Sequence, residues 1–265
     1  MIAHSVLSVI EAQRMRNVFQ IPLHRVFKAN EIRGFTTPSV EKLWQAILSA
    51  TLIHDLGKLT KNYQEGRSIR HHYISAIVAR RALRNILGEF MSLALAYAII
   101  LHHEAIDWRS VEKGFLTFSY IHEVFSPTNP IIYEAPKIPL ENFQQAIEGV
   151  LDALVEKGSL SQEERDILSE VQGSALAELK QSAGKTLRID KELNAENLRD
   201  KRYQVPAMAV YRLIYLADNR AASARERYWL EVLSEVNWSR LDAVSEEILK
   251  RLSGRPYYIG LSSIP

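Results

Sequence analysis

Apolar residues at Val40, Leu43, Trp44, Ile47 and Leu48 repeat at i, i+3, i+4, i+7 and i+8, the spacing of a helix with one buried face. Thr37 and Pro38 precede them as N-cap and first helical residue, and the helix runs into Ile53-His54-Asp55. The spacing predicts a second helix from about His71 through Ile74, Ile77, Val78 and Ala82 to about Leu87, stopped by Gly88. From Phe90 to Leu101 the chain is apolar on every side, which predicts a buried helix ending at His102-His103.

Between Glu104 and Pro139 the periodicity is lost, because Pro127, Pro130, Pro136 and Pro139 break any helix. Residues 104–139 are therefore expected to form an irregular excursion packed on the core through aromatic side chains. Helical spacing returns at Phe143, Ile147, Leu151 and Leu154, and Ser161 with Glu164 forms a capping-box signal for the next helix. Residues 183–204 read as a polar connector. The last strong helix is predicted from about Pro206, with Val210, Tyr211, Ile214, Tyr215 and Asp218 on one face, continuing toward Trp229. With no internal repeat and no convincing strand pattern, the expectation is an all-α fold in a single domain over residues 1–265.

Composition narrows the chemistry. The 265 residues are 47% hydrophobic and 24% charged, as in an ordinary globular protein. No cysteine is present, so disulfides, thiolate catalysis and cysteine-held zinc are excluded, and any metal must be held by His, Asp or Glu. The N-terminal MIAHSVLSVIEAQ lacks the basic start and long apolar core of a signal peptide, and Phe90–Leu101 is shorter than the ~20 residues of a membrane span. A cytoplasmic protein with no membrane partner is expected. The formal net charge is +2, but Lys58, Lys61, Arg67, Arg70, Arg80, Arg81 and Arg84 face only one acid, Glu65, within one stretch.

The histidines cluster at His54-Asp55, His71-His72 and His102-His103, and His4 opens the first helix. His54 and Asp55 fall where a helix is about to end, since Gly57 follows, and helix ends let consecutive side chains converge. His102 and His103 end the least polar helix, where an unpaired imidazole is costly. Asp218 shares a face with Tyr211, Ile214 and Tyr215, so its charge needs either a metal or an ion pair with Arg212 or Arg220. Five imidazoles and two carboxylates exceed one tetrahedral site, which makes two metals bridged by Asp55 the economical reading. Two-metal sites point to phosphoester hydrolysis, and imidazole-rich ligation favours Mn, Fe, Co, Ni or Zn while leaving Mg open.

The run His54-Asp55-Leu56-Gly57-Lys58 resembles the HDxxK signature of the HD phosphohydrolase superfamily, an all-α fold. With His4, Arg70-His71 before Ser75-Ala76, Ile100-Leu101-His102-His103 and Leu216-Ala217-Asp218 in that order, the chain resembles the HD nucleases of type I CRISPR systems over most of its length. It contains no GxxxxGK[ST] phosphate loop, so the expectation is the stand-alone nuclease subunit instead of a fused nuclease-helicase. The resemblance implies that His4, His54, Asp55 and Asp218 hold one divalent ion, while Asp55, His71, His102 and His103 hold another. The ions would be Mg, Mn, Co, Ni or Fe. His71 is preferred over His72 for its spacing to Ser75. Asp55 and Lys58 would carry catalysis, Lys58 through contact with substrate phosphate.

For the substrate, Arg80 and Arg84 point away from His71 on their helix and are expected to be solvated or to face a partner. Lys58, Lys61, Arg67 and Arg70 are expected to line the cleft and hold phosphates, and Trp108, Phe115 and Phe118 either stack bases or pack in the core. The resemblance implies single-stranded DNA as substrate, RNA as another candidate, and a separate helicase and an RNA-guided effector complex as partners in defence against foreign nucleic acid. Cleavage from ends and internal cleavage both fit. The competing readings are a nucleotide or cyclic-nucleotide phosphohydrolase with the same site, and a metal-stabilised helical scaffold that turns nothing over.

Overall fold

The computed structural model describes residues 2–32, 34–67, 70–102, 130–137, 139–194, 196–197 and 200–233, with side chains omitted at 3 and 224–233. His103, Trp108, Phe115, Phe118 and the side chain of Trp229 lie outside the described residues. The described chain is helical: α1 (Ile2–Arg14), α2 (Arg16–Ala29), α3 (Val40–Ile53), a 3-10 turn (Leu56–Leu59), α4 (Lys61–Gln64), α5 (His71–Leu101), α6 (Leu140–Glu156), α7 (Gln162–Ser182), α8 (Ile189–Glu192) and α9 (Lys201–Leu233). The expected all-α class holds, and no strand occurs among the described residues; one antiparallel bridge joins Ile131 to Leu187.

At the centre lies the second half of α5, where every residue from Phe90 to Leu101 is buried. Helix α9 packs along both α1 and α5, while α3 and α5 both lie against α7. By length and composition α5 could cross a membrane, but 67% of its apolar window is buried inside the protein, as befits a core helix wrapped on all sides. Gly88, at φ 76° and ψ 172°, breaks α5 where the sequence places a stop.

Helix starts follow capping chemistry. The box at α7 forms as expected: Ser161 Oγ accepts from the Glu164 N–H at 3.1 Å, and Glu164 Oε2 accepts from the Ser161 N–H at 2.9 Å. The buried Glu164 also takes Arg16 at 2.8 Å and Gln13 at 3.2 Å, and Gln13 in turn accepts the Trp44 indole N–H at 2.7 Å. One cap thereby ties α1, α2, α3 and α7. Ser161→Ala is expected to lower stability by ~1 kcal/mol, read as a shift in the urea midpoint; an unchanged midpoint would speak against the cap.

Three boundaries differ from the sequence expectation. The N-cap of α3 is Ser39, which accepts from the Lys42 N–H at 3.3 Å, while the Thr37 N–H donates to Glu31 Oε1 at 2.7 Å. Helix α9 starts at Lys201 and not near Pro206, since the Asp200 carboxylate accepts the Arg202 N–H at 2.9 Å and nucleates an earlier turn. The connector at 183–204 is less polar in place than in sequence: Leu187, Ile189, Leu193 and Tyr203 are buried, and Tyr97 donates its hydroxyl to the Leu193 carbonyl at 2.6 Å.

Candidate metal centre

Helix ends build the site. His54 is the C-cap of α3, Asp55 follows it, His71 opens α5, and His102 is its C-cap. Helix α1 brings His4 and α9 brings Asp218, which α1 reaches because it packs along α9. The sharp turn after Asp55 holds because Gly57 sits against the start of α5: a Cβ there would lie 2.1 Å from the His71 carbonyl oxygen. Ser75 Oγ pins this approach, accepting from the Gly57 N–H at 2.9 Å and donating to the His71 carbonyl at 3.0 Å.

Two groups of possible ligand atoms result, each with its members within 4.8 Å of one another: His4, His54, Asp55 and Asp218, and Asp55, His71 and His102. The two oxygens of the fully buried Asp55 divide between them. Oδ2 lies 3.4 Å from His4 Nε2 and 3.5 Å from His54 Nε2, whereas Oδ1 lies 3.3 Å from His71 Nε2 and 3.7 Å from His102 Nε2. Asp218 Oδ1 approaches His4 Nε2 at 2.7 Å and His54 Nε2 at 3.3 Å, with its side chain only 21% exposed. Of the choices open for Asp218, it is the histidines and not Arg212 or Arg220 that its carboxylate meets.

Backbone carbonyls orient two of the imidazoles. His54 Nδ1 lies 2.6 Å from the Thr51 carbonyl, and His102 Nδ1 likewise meets the Ile99 carbonyl. A carbonyl only accepts, so each Nδ1 carries a proton and each Nε2 is left to face the carboxylates. Carboxylates opposite imidazole lone pairs repel unless a proton or metal ion lies between them. Burial alone would raise the pKa of Asp55, but His54, with His102, His71 and Lys58, brings it well below the usual carboxylate value. For His54, burial disfavours charge but Asp55, Asp218 and the Thr51 carbonyl outweigh it and raise the pKa; for His4 and His71 burial prevails and lowers it. Asp218 is lowered against its own burial by His4 and His54. Asp55 Oδ1 is buried without a hydrogen-bond donor, a costly state that a cation relieves. The cluster can therefore hold a metal ion.

His72 is half-buried and outside both groups, its ring 6.4 Å from that of His102, so of the histidine pair it is His71 that joins the cluster. Each of the four basic residues expected to line the cleft has a protein partner. Lys58 donates to Asp55 Oδ2 at 2.6 Å. Lys61 and Arg67 both pair with Glu134, at 2.5 and 2.8 Å, and Arg67 also with Glu65 at 2.9 Å. Arg70 bonds the Tyr73 hydroxyl at 3.0 Å and lies 5.5 Å from its ring centre. Of the two arginines expected to be solvated or to meet a partner, Arg84 is exposed as expected, 2.9 Å from Glu89, whereas the Arg80 side chain is only 11% exposed and donates to Glu89 and to the Glu192 carbonyl, both at 2.6 Å. Glu134 escaped the sequence reading, since nothing local to it indicates that the chain returns to α4.

Comparison of the chain with protein-family models, with curated proteins and with solved structures gives no match.

Proposed function

We propose that this chain is a divalent-metal-dependent phosphodiester hydrolase of the HD type that cleaves single-stranded DNA. The observation that carries the reading is the sharing of Asp55, one carboxylate oxygen facing His4 and His54 and the other facing His71 and His102. His4, His54, Asp55 and Asp218 would hold one ion, and Asp55, His71 and His102 another, with His103 added by the resemblance. Bound divalent ions would supply positive charge for phosphate oxygens and acidify a water molecule.

The chain's own residues prepare the rest. The Thr51 and Ile99 carbonyls fix the His54 and His102 rings with Nε2 toward the carboxylates, so little reorganisation remains when substrate arrives. Gly57 and Ser75 set the position of His71. Lys58 is partly exposed and offers its ammonium to a phosphate at the Asp55 side of the cluster. On the resemblance set out above, a separate helicase would deliver the strand and an RNA-guided effector complex would select it, in cytoplasmic defence against foreign nucleic acid. Mg, Mn, Co, Ni and Fe are the ions to try.

The pairing of Lys61 and Arg67 with Glu134, which offsets one of their two charges, favours the rival small-substrate reading, because it reduces the charge available to a polyanion. One assay separates the two: circular single-stranded DNA incubated with Mg, Mn, Co, Ni or chelator, parent against Asp55→Ala. Metal-dependent cutting absent from the variant is expected. Intact circles together with phosphate release from a nucleotide would overturn the nuclease reading in favour of the nucleotide hydrolase.

A further inference from the structure

Among the described residues, Tyr63 is the one aromatic side chain in the set of exposed large apolar groups, at 37% exposure. Its ring centre is 4.9 Å from that of His71, edge to face at 73°, and His71 Nε2 is 3.3 Å from Asp55. The ring therefore lies one side chain away from the metal cluster. Exposed tyrosines elsewhere on a surface mean little; one in contact with a candidate ligand is placed to meet whatever adjoins the reacting phosphate.

Helix α4, which carries Tyr63, is too short to hold itself and is braced from outside. Lys61 and Arg67 pair with Glu134, the Glu134 N–H donates to Asn62 Oδ1 at 2.5 Å, and the Lys61 N–H donates to the Glu134 carbonyl at 3.3 Å. Buried Tyr133 anchors the same segment through its hydroxyl to the Leu179 carbonyl at 2.5 Å. The bracing holds the Tyr63 backbone in place before substrate arrives, and it pairs Lys61 and Arg67 with carboxylates. What α4 offers a substrate is thus a fixed aromatic surface more than a positive field.

We propose that Tyr63 is a substrate-stacking residue that receives the nucleobase next to the scissile phosphate and so selects an unpaired strand. This rests on the hydrolase reading above. Every base has a π-face, so such stacking tolerates any sequence, but in a duplex both faces are already covered by neighbouring bases. Selection of single strands then comes from the availability of a base face and not from the width of the cleft alone.

The test is a binding cycle with the full chain, followed by anisotropy of a short fluorescent single strand in Ca²⁺. Parent and Tyr63→Ala are each titrated with the intact strand and with a series carrying one abasic site moved along it, the abasic strand compared being the one that the parent binds most weakly. The parent is expected to bind the intact strand about tenfold more tightly than the abasic one. Tyr63→Ala is expected to bind both equally and weakly, and Tyr63→Trp to restore the preference. The Mn²⁺-induced gain in Tm should be the same in parent and Tyr63→Ala, since stacking leaves the position of His71 alone. Full affinity in Tyr63→Ala, a tenfold abasic loss that persists in it, a reduced Mn²⁺ gain without base dependence, or no binding by the parent would each overturn the proposal. Binding with the expected cycle but no hydrolysis with any ion would sink the hydrolase reading and leave the stacking role standing.

Discussion

Chelation is expected to lower the Tm of the parent chain by about 5–10 °C and that of Asp55→Asn by nothing measurable. An ion present at a hundredfold excess over its Kd stabilises by ~2.7 kcal/mol, and a chain of this size shifts by a few degrees per kcal/mol. Asp55 is the strong choice because its two oxygens serve both groups of candidate ligands, so its removal should abolish both. Asp218 belongs to one group only. Ion counting by mass spectrometry or plasma emission should therefore give two in the parent, one in Asp218→Asn and none in Asp55→Asn. Removing a buried charge from among charged partners costs ~3–5 kcal/mol, so Asp55→Asn is the variant most exposed to misfolding. The partly exposed Asp218 keeps the test intact in that event. A full ion-induced Tm gain in folded Asp55→Asn would show that the ion binds elsewhere.

Gly57→Ala should be the most damaging single methyl addition in the described chain. The new carbon would lie 2.1 Å from the His71 carbonyl oxygen, 2.8 Å from its carbonyl carbon and 2.9 Å from its Cα, all backbone that cannot rotate aside. Relief requires the turn after Asp55 and the start of α5 to separate, which also parts Ser75 Oγ from one of its two partners. The expected loss is at least ~3 kcal/mol, at the upper end of overpacking. The functional consequence is more selective: His71 moves away from Asp55 Oδ1, while His4, His54 and Asp218 on the other side of the carboxylate keep their places. Urea unfolding combined with ion counting reads both, the expected result being an early midpoint and one ion in place of two. A parental midpoint would mean that the turn is looser than its contacts indicate.

Much of this site is legible in the sequence because four of its members, His54, Asp55, His71 and His102, stand at helix ends, which leave marks in the chain. The apolar spacing of 40–48 locates the end of α3, and the unbroken apolar run before His102 locates the end of α5. Once both ends are placed, the adjacent His and Asp at one and His102 at the other have few places to go but inward. The i−3 relation of His54 to Thr51 and of His102 to Ile99 is also present in the sequence, although only the folded helix ends make it a hydrogen bond. Composition could not show that Lys61 and Arg67 pair with one carboxylate, since Glu134 lies some seventy residues beyond Lys61. Likewise, the position of the α9 start depended on a single Asp200 cap against a run of polar residues with no periodic signal. Local periodicity and capping carry information about elements; pairings between distant segments do not leave a trace in either one alone.

The hydrogen bond between His4 and Asp218 joins residues 214 positions apart. During synthesis, the first histidine would emerge early and wait until nearly the whole described chain had been made before its carboxylate partner arrived. Helices can form on the way, but the closing of so long a loop is late and depends on α9 docking against α1 and α5. A chain cut short before α9 would carry five of the six clustered side chains, His4, His54, Asp55, His71 and His102, and lack Asp218. On the proposed hydrolase reading, an unfinished copy would lack the group formed by His4, His54, Asp55 and Asp218 until α9 docks.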